Sequence, residues 1–94
     1  MSYPTAISSG LLTTDTQVYT GRGLYHGMAV RAEGAGNAEV TIYDGTDATG
    51  KVIDRLTVAG GEADLFHNFN RPVRVKNGIF AQVSVDTGVI VYFG

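Results

Sequence analysis

The residues best placed for chemistry are Asp44 and Asp47, which sit with Gly45, Gly50 and three threonines in TIYDGTDATGKVI, residues 41–53, between two apolar β-forming runs. A calcium loop of the EF-hand kind needs alternating carboxylates and a bidentate glutamate at its twelfth position, because the ion takes roughly six to eight hard oxygens. Counted from Asp44, that position is Arg55. The spacing instead fits a hairpin turn, in which Asx side chains bond nearby backbone and Gly45 and Gly50 supply positive φ. No metal or other cofactor is expected.

Only two imidazoles are present, His26 and His67, and with no cysteine they are too few for a zinc cluster. His26 alternates with apolar neighbours and reads as a satisfied interior or interface histidine rather than a base. There is no G-x-S-x-G elbow, and Gly21–Arg22–Gly23 matches no phosphate loop. A small sandwich leaves little room for the cleft that paired carboxylates need, so the expectation is that the chain is not an enzyme. Arg71, Arg74 and Lys76 form a basic group in which strand alternation puts Arg74 and Lys76 on one face. They read either as a solvated, edge-protecting face or as a docking patch for an acidic protein surface. Tyr19, Tyr25, Tyr43 and Tyr92, with Phe66 and Phe69, are core or interface aromatics or, alternatively, a sugar-stacking platform. Tyr19 and Tyr25 join the basic group as candidate interface residues.

These side chains belong to one domain, because 94 residues cannot enclose two cores. Apolar residues make up 44% and charged residues 17%, below the average of about 25%, so much of the surface is uncharged Thr, Ser, Asn, Gly and Tyr. Such a surface suits contact with another protein or a glycan. A net charge of −2 gives no pull toward phosphate backbones or anionic membranes, so neither nucleic acid nor membrane is an expected partner. The N-terminal stretch has no basic region followed by an apolar run, and no segment approaches the ~20 apolar residues of a membrane span. The expectation is a soluble protein made in a cytoplasm.

Period-2 alternation recurs along most of the chain and sustained helical spacing does not. Residues 24–32 place Leu24, His26, Met28 and Val30 opposite Tyr25, Gly27, Ala29 and Arg31, and EGAGN follows as a turn with two glycines at positive φ. Residues 38–43 turn Ala38, Val40 and Ile42 inward. Residues 51–59 place Val52, Leu56 and Val58 on one face but put Asp54 there too, so a bulge or splayed end is expected near Ile53 and Asp54. After a break at GGE, residues 60–62, come a short strand ADLF, then HNFNRP, then VRVK. Asn77–Gly78 signals a tight turn, and IFAQVSV with GVIVYF reads as a closing hairpin with Ile79, Ala81, Val83 and Val85 on one face. In the Ser/Thr-rich first twenty residues, only Leu11–Leu12 and Val18–Tyr19 look ready for burial. Residues 1–20 are read as an arm or edge strand and residues 21–94 as an all-β, antiparallel β-sandwich, jelly-roll-like, of about seven to nine short strands.

The order LLTTDTQVYTGRGLYHGMAV, AEVTIYDGTDATGKVI, RPVRVKNGIFAQVSVDTGVIVYF resembles small β-sandwich structural proteins of tailed bacteriophages, a group that includes capsid decoration or cement proteins. The resemblance rests on a strand entering a YDGT…G turn, here Tyr43, Asp44, Gly45, Thr46 and Gly50. It continues through Pro72, Asn77, Gly78 and Ile79 to a C-terminal β-hairpin. It implies no catalytic residues. It implies a protein on the outer surface of a virion that binds the major capsid protein of an assembled head, commonly as a symmetric oligomer, with a trimer suited to a three-fold lattice position. The contrasting expectation is a glycan- or receptor-binding module of a tail fibre or spike.

Overall fold

A computed structural model of the chain describes residues 6–60 and 65–94, with residues 65–71 described as backbone only. Eight strands follow one another: β1 (Ile7–Leu12), β2 (Thr16–Thr20), β3 (Gly23–Ala32), β4 (Ala38–Asp44), β5 (Lys51–Val58), β6 (Leu65–Val75), β7 (Gly78–Val83) and β8 (Thr87–Phe93). No helix among the described residues is long and apolar enough to cross a membrane.

The topology is one long hairpin rolled up. Its tip is the loop at 45–50, around which β4 pairs with β5, β3 with β6, β2 with β7 and β1 with β8, all antiparallel. Successive rungs alternate between two layers, and the further pairings β3–β8 and β4–β7 complete them. The result is two four-stranded sheets, β1-β8-β3-β6 and β2-β7-β4-β5, packed as a sandwich in jelly-roll order. The first sheet buries Met28, Val30, Val75, Val89 and Val91 against Val40, Ile42, Val58, Ile79 and Ala81 of the second. Each such aliphatic side chain contributes about 1.5–3 kcal/mol by leaving water.

Strand β4 buries the expected Ala38, Val40 and Ile42, all at 0% exposure, but Thr41 and Tyr43 of the alternate set are covered as well, leaving only Glu39 fully exposed. Along β5 the expected bulge is present: Ile42 pairs with Asp54 and Tyr43 with Val52, so Ile53 is the extra residue. The bulge packs Ile53 against the core and leaves Val52 47% exposed, which overturns the expectation that Val52 is buried.

Strand β3 departs in a similar way. Tyr25 pairs with Phe93 and Gly27 with Tyr92, leaving His26 as an extra residue, and Tyr25 sits in the core beside Met28 and Val30 rather than opposite them. On the other side of β3 the partner bulges more widely, because Gly27 pairs with Asn68 and Tyr25 with Val73. Residues 65–75 are therefore a single strand rather than two short ones, and β6 carries Pro72 at the edge of its sheet, where a missing N–H is tolerated.

Both expected C-terminal turns prove to be crossings between layers. Lys76 and Asn77 carry the chain from β6 in one sheet to β7 in the other, and residues 84–86 carry it back to β8, so neither joins a hairpin. Val85 lies in the second crossing and is 84% exposed. The N-terminal segment, from residue 6 on, forms two edge strands, one per sheet, with Leu12 and Val18 against the core but Leu11 63% exposed. The turn at 33–37 forms without positive φ at Gly34 or Gly36. The GGE break extends beyond the described residues.

Candidate functional site

The two turn motifs singled out in the sequence meet in space. Asp44, the last residue of β4, turns its carboxylate to the β6–β7 crossing. Its Oδ1 accepts the Asn77 N–H at 2.9 Å and both oxygens accept the Lys76 N–H at 3.1 Å, while the Gly78 N–H also reaches the carboxylate. Next to it the Gly45 N–H donates to Gly78 O at 3.1 Å, and the Gly21 N–H donates to Asn77 O at 3.1 Å. The Gln17 amide closes the cluster by donating to Tyr19 O at 2.7 Å and Gly45 O at 3.2 Å. Partial desolvation pushes the Asp44 carboxyl up, but the Asn77, Lys76 and Gly78 N–H groups and the Lys76 charge outweigh it and hold it below its ordinary value.

Asp47 works locally. It accepts the Thr49 N–H at 2.9 Å and the Thr49 hydroxyl, and those two bonds lower its carboxyl. The 44–50 loop is thus a hairpin turn whose two carboxylates are taken up by backbone and hydroxyl donors. Neither of its glycines takes positive φ, and Gly50 serves close approach instead, since a Cβ there would stand 2.5 Å from Asp44 O. Gly78 is different, with φ 141°, and a Cβ there would stand 2.5 Å from Tyr19 O. Among the described residues no group of three or more His, Asp or Glu is placed to hold a metal ion.

Tyr25 is corrected from interface to framework, whereas Tyr19 keeps part of its surface exposed. Tyr25 is 0% exposed, and its hydroxyl donates to Asp54 Oδ2 of the opposite sheet at 2.7 Å. Burial, together with the hydrogen bond and charge of Asp54, pushes its phenol far above the usual range, so it remains a donor. Asp54, the one misfit in the β5 pattern, is therefore an inter-sheet acceptor placed by the Ile53 bulge. Half-buried Tyr19 packs its ring on Phe93 of the other sheet at a centroid distance of 5.7 Å, covers Gly23 and donates its hydroxyl to Arg22 O at 2.8 Å. Half-buried His26 has its Nε2 enclosed without a hydrogen-bond partner among the described residues, contrary to the expectation of a satisfied histidine.

Of the basic group, Arg74 and Lys76 are both exposed on either side of fully buried Val75, so their shared face is present. The side chains of Arg71, Phe66, His67 and Phe69 lie outside the described residues. The two broad outer faces differ. That of the first sheet carries an apolar strip, with Leu11, Ile90 and Ala29 in register across three strands and the Leu11 and Glu33 side chains lying over Gly88, and it also carries exposed Arg31 and Arg74. That of the second carries a shallow groove of about 480 Å³ lined by Asp15, Asn37, Glu39, Thr57, Gln82 and Ser84, among others. No aromatic ring lines the groove among the described residues; Tyr43 nearby is 9% exposed, with its hydroxyl on Gln82 Oε1 at 2.9 Å.

No family model, no curated protein and no solved structure matches this chain. Gln17 and Asp54 were not singled out in the sequence as functional. The only signal for Asp54 was its clash with the strand pattern, and Gln17 left none.

Proposed function

We propose that this protein is a virion structural protein of a tailed bacteriophage, made in the host cytoplasm, that docks on the outer surface of the assembled head as a decoration protein. The observation that carries the reading is a thin slab, 42 × 32 × 18 Å, with an apolar strip flanked by charged side chains on one outer face and a polar groove on the other. A slab with a mixed apolar and basic face on one side and a polar groove on the other can touch a second copy and a shell at the same time. Jelly rolls recur in viral capsid and lectin domains, a likeness of fold that raises the prior without assigning a role. The partner is the major capsid protein, and a trimer at a three-fold position gains affinity from several modest contacts through effective concentration. The exposed Arg74–Lys76 face contacts acidic shell surface.

The second reading, a glycan-binding module of a tail fibre or spike, rests on the groove of the second sheet. A sugar platform needs exposed rings around a groove, and the described lining supplies hydroxyls, amides and carboxylates instead, which favours the first reading. Mass spectrometry of purified particles decides between them. A copy number equal to the shell protein, or a simple lattice fraction of it, is expected; a few copies per particle moves the chain to the tail and complete absence overturns the proposal. The double variant Arg74→Glu, Lys76→Glu is expected to lower occupancy on particles, and unchanged occupancy removes that face from the docking surface.

A further inference from the structure

Asn77–Gly78 is a chemically reactive dipeptide as well as a turn. Next to a glycine, which has no side chain to hinder attack, the backbone nitrogen of residue 78 can close on Cγ of an asparagine at 77. A bond forms between Gly78 N and Asn77 Cγ, the Cγ–NH2 bond breaks, and the nitrogen's proton passes to base as ammonia leaves. Water then opens the succinimide at either carbonyl to give aspartate or isoaspartate. The reaction requires Gly78 N to leave whatever holds it and to turn toward the Asn77 side chain.

We infer that Asn77 is a spontaneous deamidation site held shut by Asp44. Asn77 is exposed, so water and base reach it. The peptide that must rotate is fastened on every side. Its N–H faces the Asp44 carboxylate, its carbonyl accepts from Gly21 N at 3.1 Å, and the flanking Asn77 N–H and Gly78 O are bound by Asp44 at 2.9 Å and Gly45 at 3.1 Å. A methyl-sized group at Gly78 would already strike Tyr19 O and Gly45 O, so little space exists for a rotated peptide. A carboxylate is far too weak a base to deprotonate an amide, so Asp44 acts as a restraint and not as a catalyst. Reaction therefore proceeds through local opening of the β6–β7 crossing, at a rate set by the open population. The product prevents re-closure, because isoaspartate lengthens the main chain by one carbon and either product sets a second carboxylate against Asp44. The crossing is in this sense a one-way record of time spent open.

The test follows Asn77 by peptide mass spectrometry with isoaspartate detection in mildly alkaline buffer. Native wild-type protein is expected to convert far more slowly than the same chain unfolded in guanidinium. The Asp44→Ala variant, checked for folding by circular dichroism, is expected to convert about tenfold faster than native wild type, the weight of one lost hydrogen bond. Equal rates in folded wild type and folded variant, or native conversion as fast as unfolded, overturn the inference. If Asp44→Ala does not fold, Asp44→Asn, which removes the charge and one acceptor oxygen, is followed instead; conversion faster than native wild type is expected, and a wild-type rate overturns the inference.

Discussion

The two turns that meet at Asp44 use the same residue types for opposite ends. In the hairpin loop, Asp47 bonds Thr49 two residues away, and the loop's shape is set within itself. In the crossing, Asn77 and Gly78 have no such local partner; their amides are held by Asp44, 33 residues distant from Asn77, and by the Gly45 and Gly21 backbone. A turn within one sheet inherits its geometry from the flanking ladder. A crossing between sheets has no ladder across it, so its polar groups must be satisfied by side chains from elsewhere. Apart from Gly50, the loop is thus expected to tolerate change and the crossing to resist it.

The largest effect that separates the two is Gly78→Ala. Its φ of 141° and the 2.5 Å approach of a Cβ to Tyr19 O set strain against backbone that cannot yield, and the expected loss is about 3 kcal/mol of unfolding free energy, read by urea denaturation. A loss below that of an ordinary loop glycine would show that the crossing moves freely. Next comes Asp44→Ala, which strips acceptors from the crossing and costs about 1–2 kcal/mol, the accessible carboxylate being screened by solvent. Because the folded carboxyl titrates below its ordinary value, this stabilisation is fully present above that value and is lost as pH falls through the folded one. Wild type and variant should therefore differ at neutral pH and converge in strong acid; a gap that persists there would mean that Asp44 acts through packing. Smallest is Asp47→Ala, whose fully solvated turn should leave the melting temperature unchanged within error, and a clear drop would make the hairpin loop as dependent on its carboxylate as the crossing.

The contrast also explains what could be read in advance. Strand β4 and the Ile53 bulge were legible because period-2 alternation is a local signal, and Asp54 among apolar residues broke it at one point. The inward turn of Tyr25 was not, because His26, the polar residue on the apolar face of LYHGMAVRA, reads equally well as an interior histidine as it does as the sign of a bulge. Asn77–Gly78 announced a turn correctly and its type wrongly, since hairpins and crossings both want a residue free to take positive φ. Tyr19 and Tyr25 looked like contact residues because aromatic identity says nothing of whether the far side of a strand is solvent or a second sheet. The acceptor role of Asp44 depends on which strands neighbour one another, and no spacing within YDGTDATG encodes that.

The rolled-hairpin topology also has a mechanical consequence. The first and last strands are antiparallel neighbours with Ile7 opposite Phe93, so the two ends of the sandwich lie side by side at one corner of a sheet. Tension applied through those ends loads the β1–β8 rungs one at a time and in line with their hydrogen bonds, which open in sequence like a zipper instead of failing together in shear. Tension applied between Ile7 and the 84–86 crossing, at opposite ends of the β1–β8 pair, loads the same rungs together in shear. The same molecule is therefore weak along one pulling axis and strong along another.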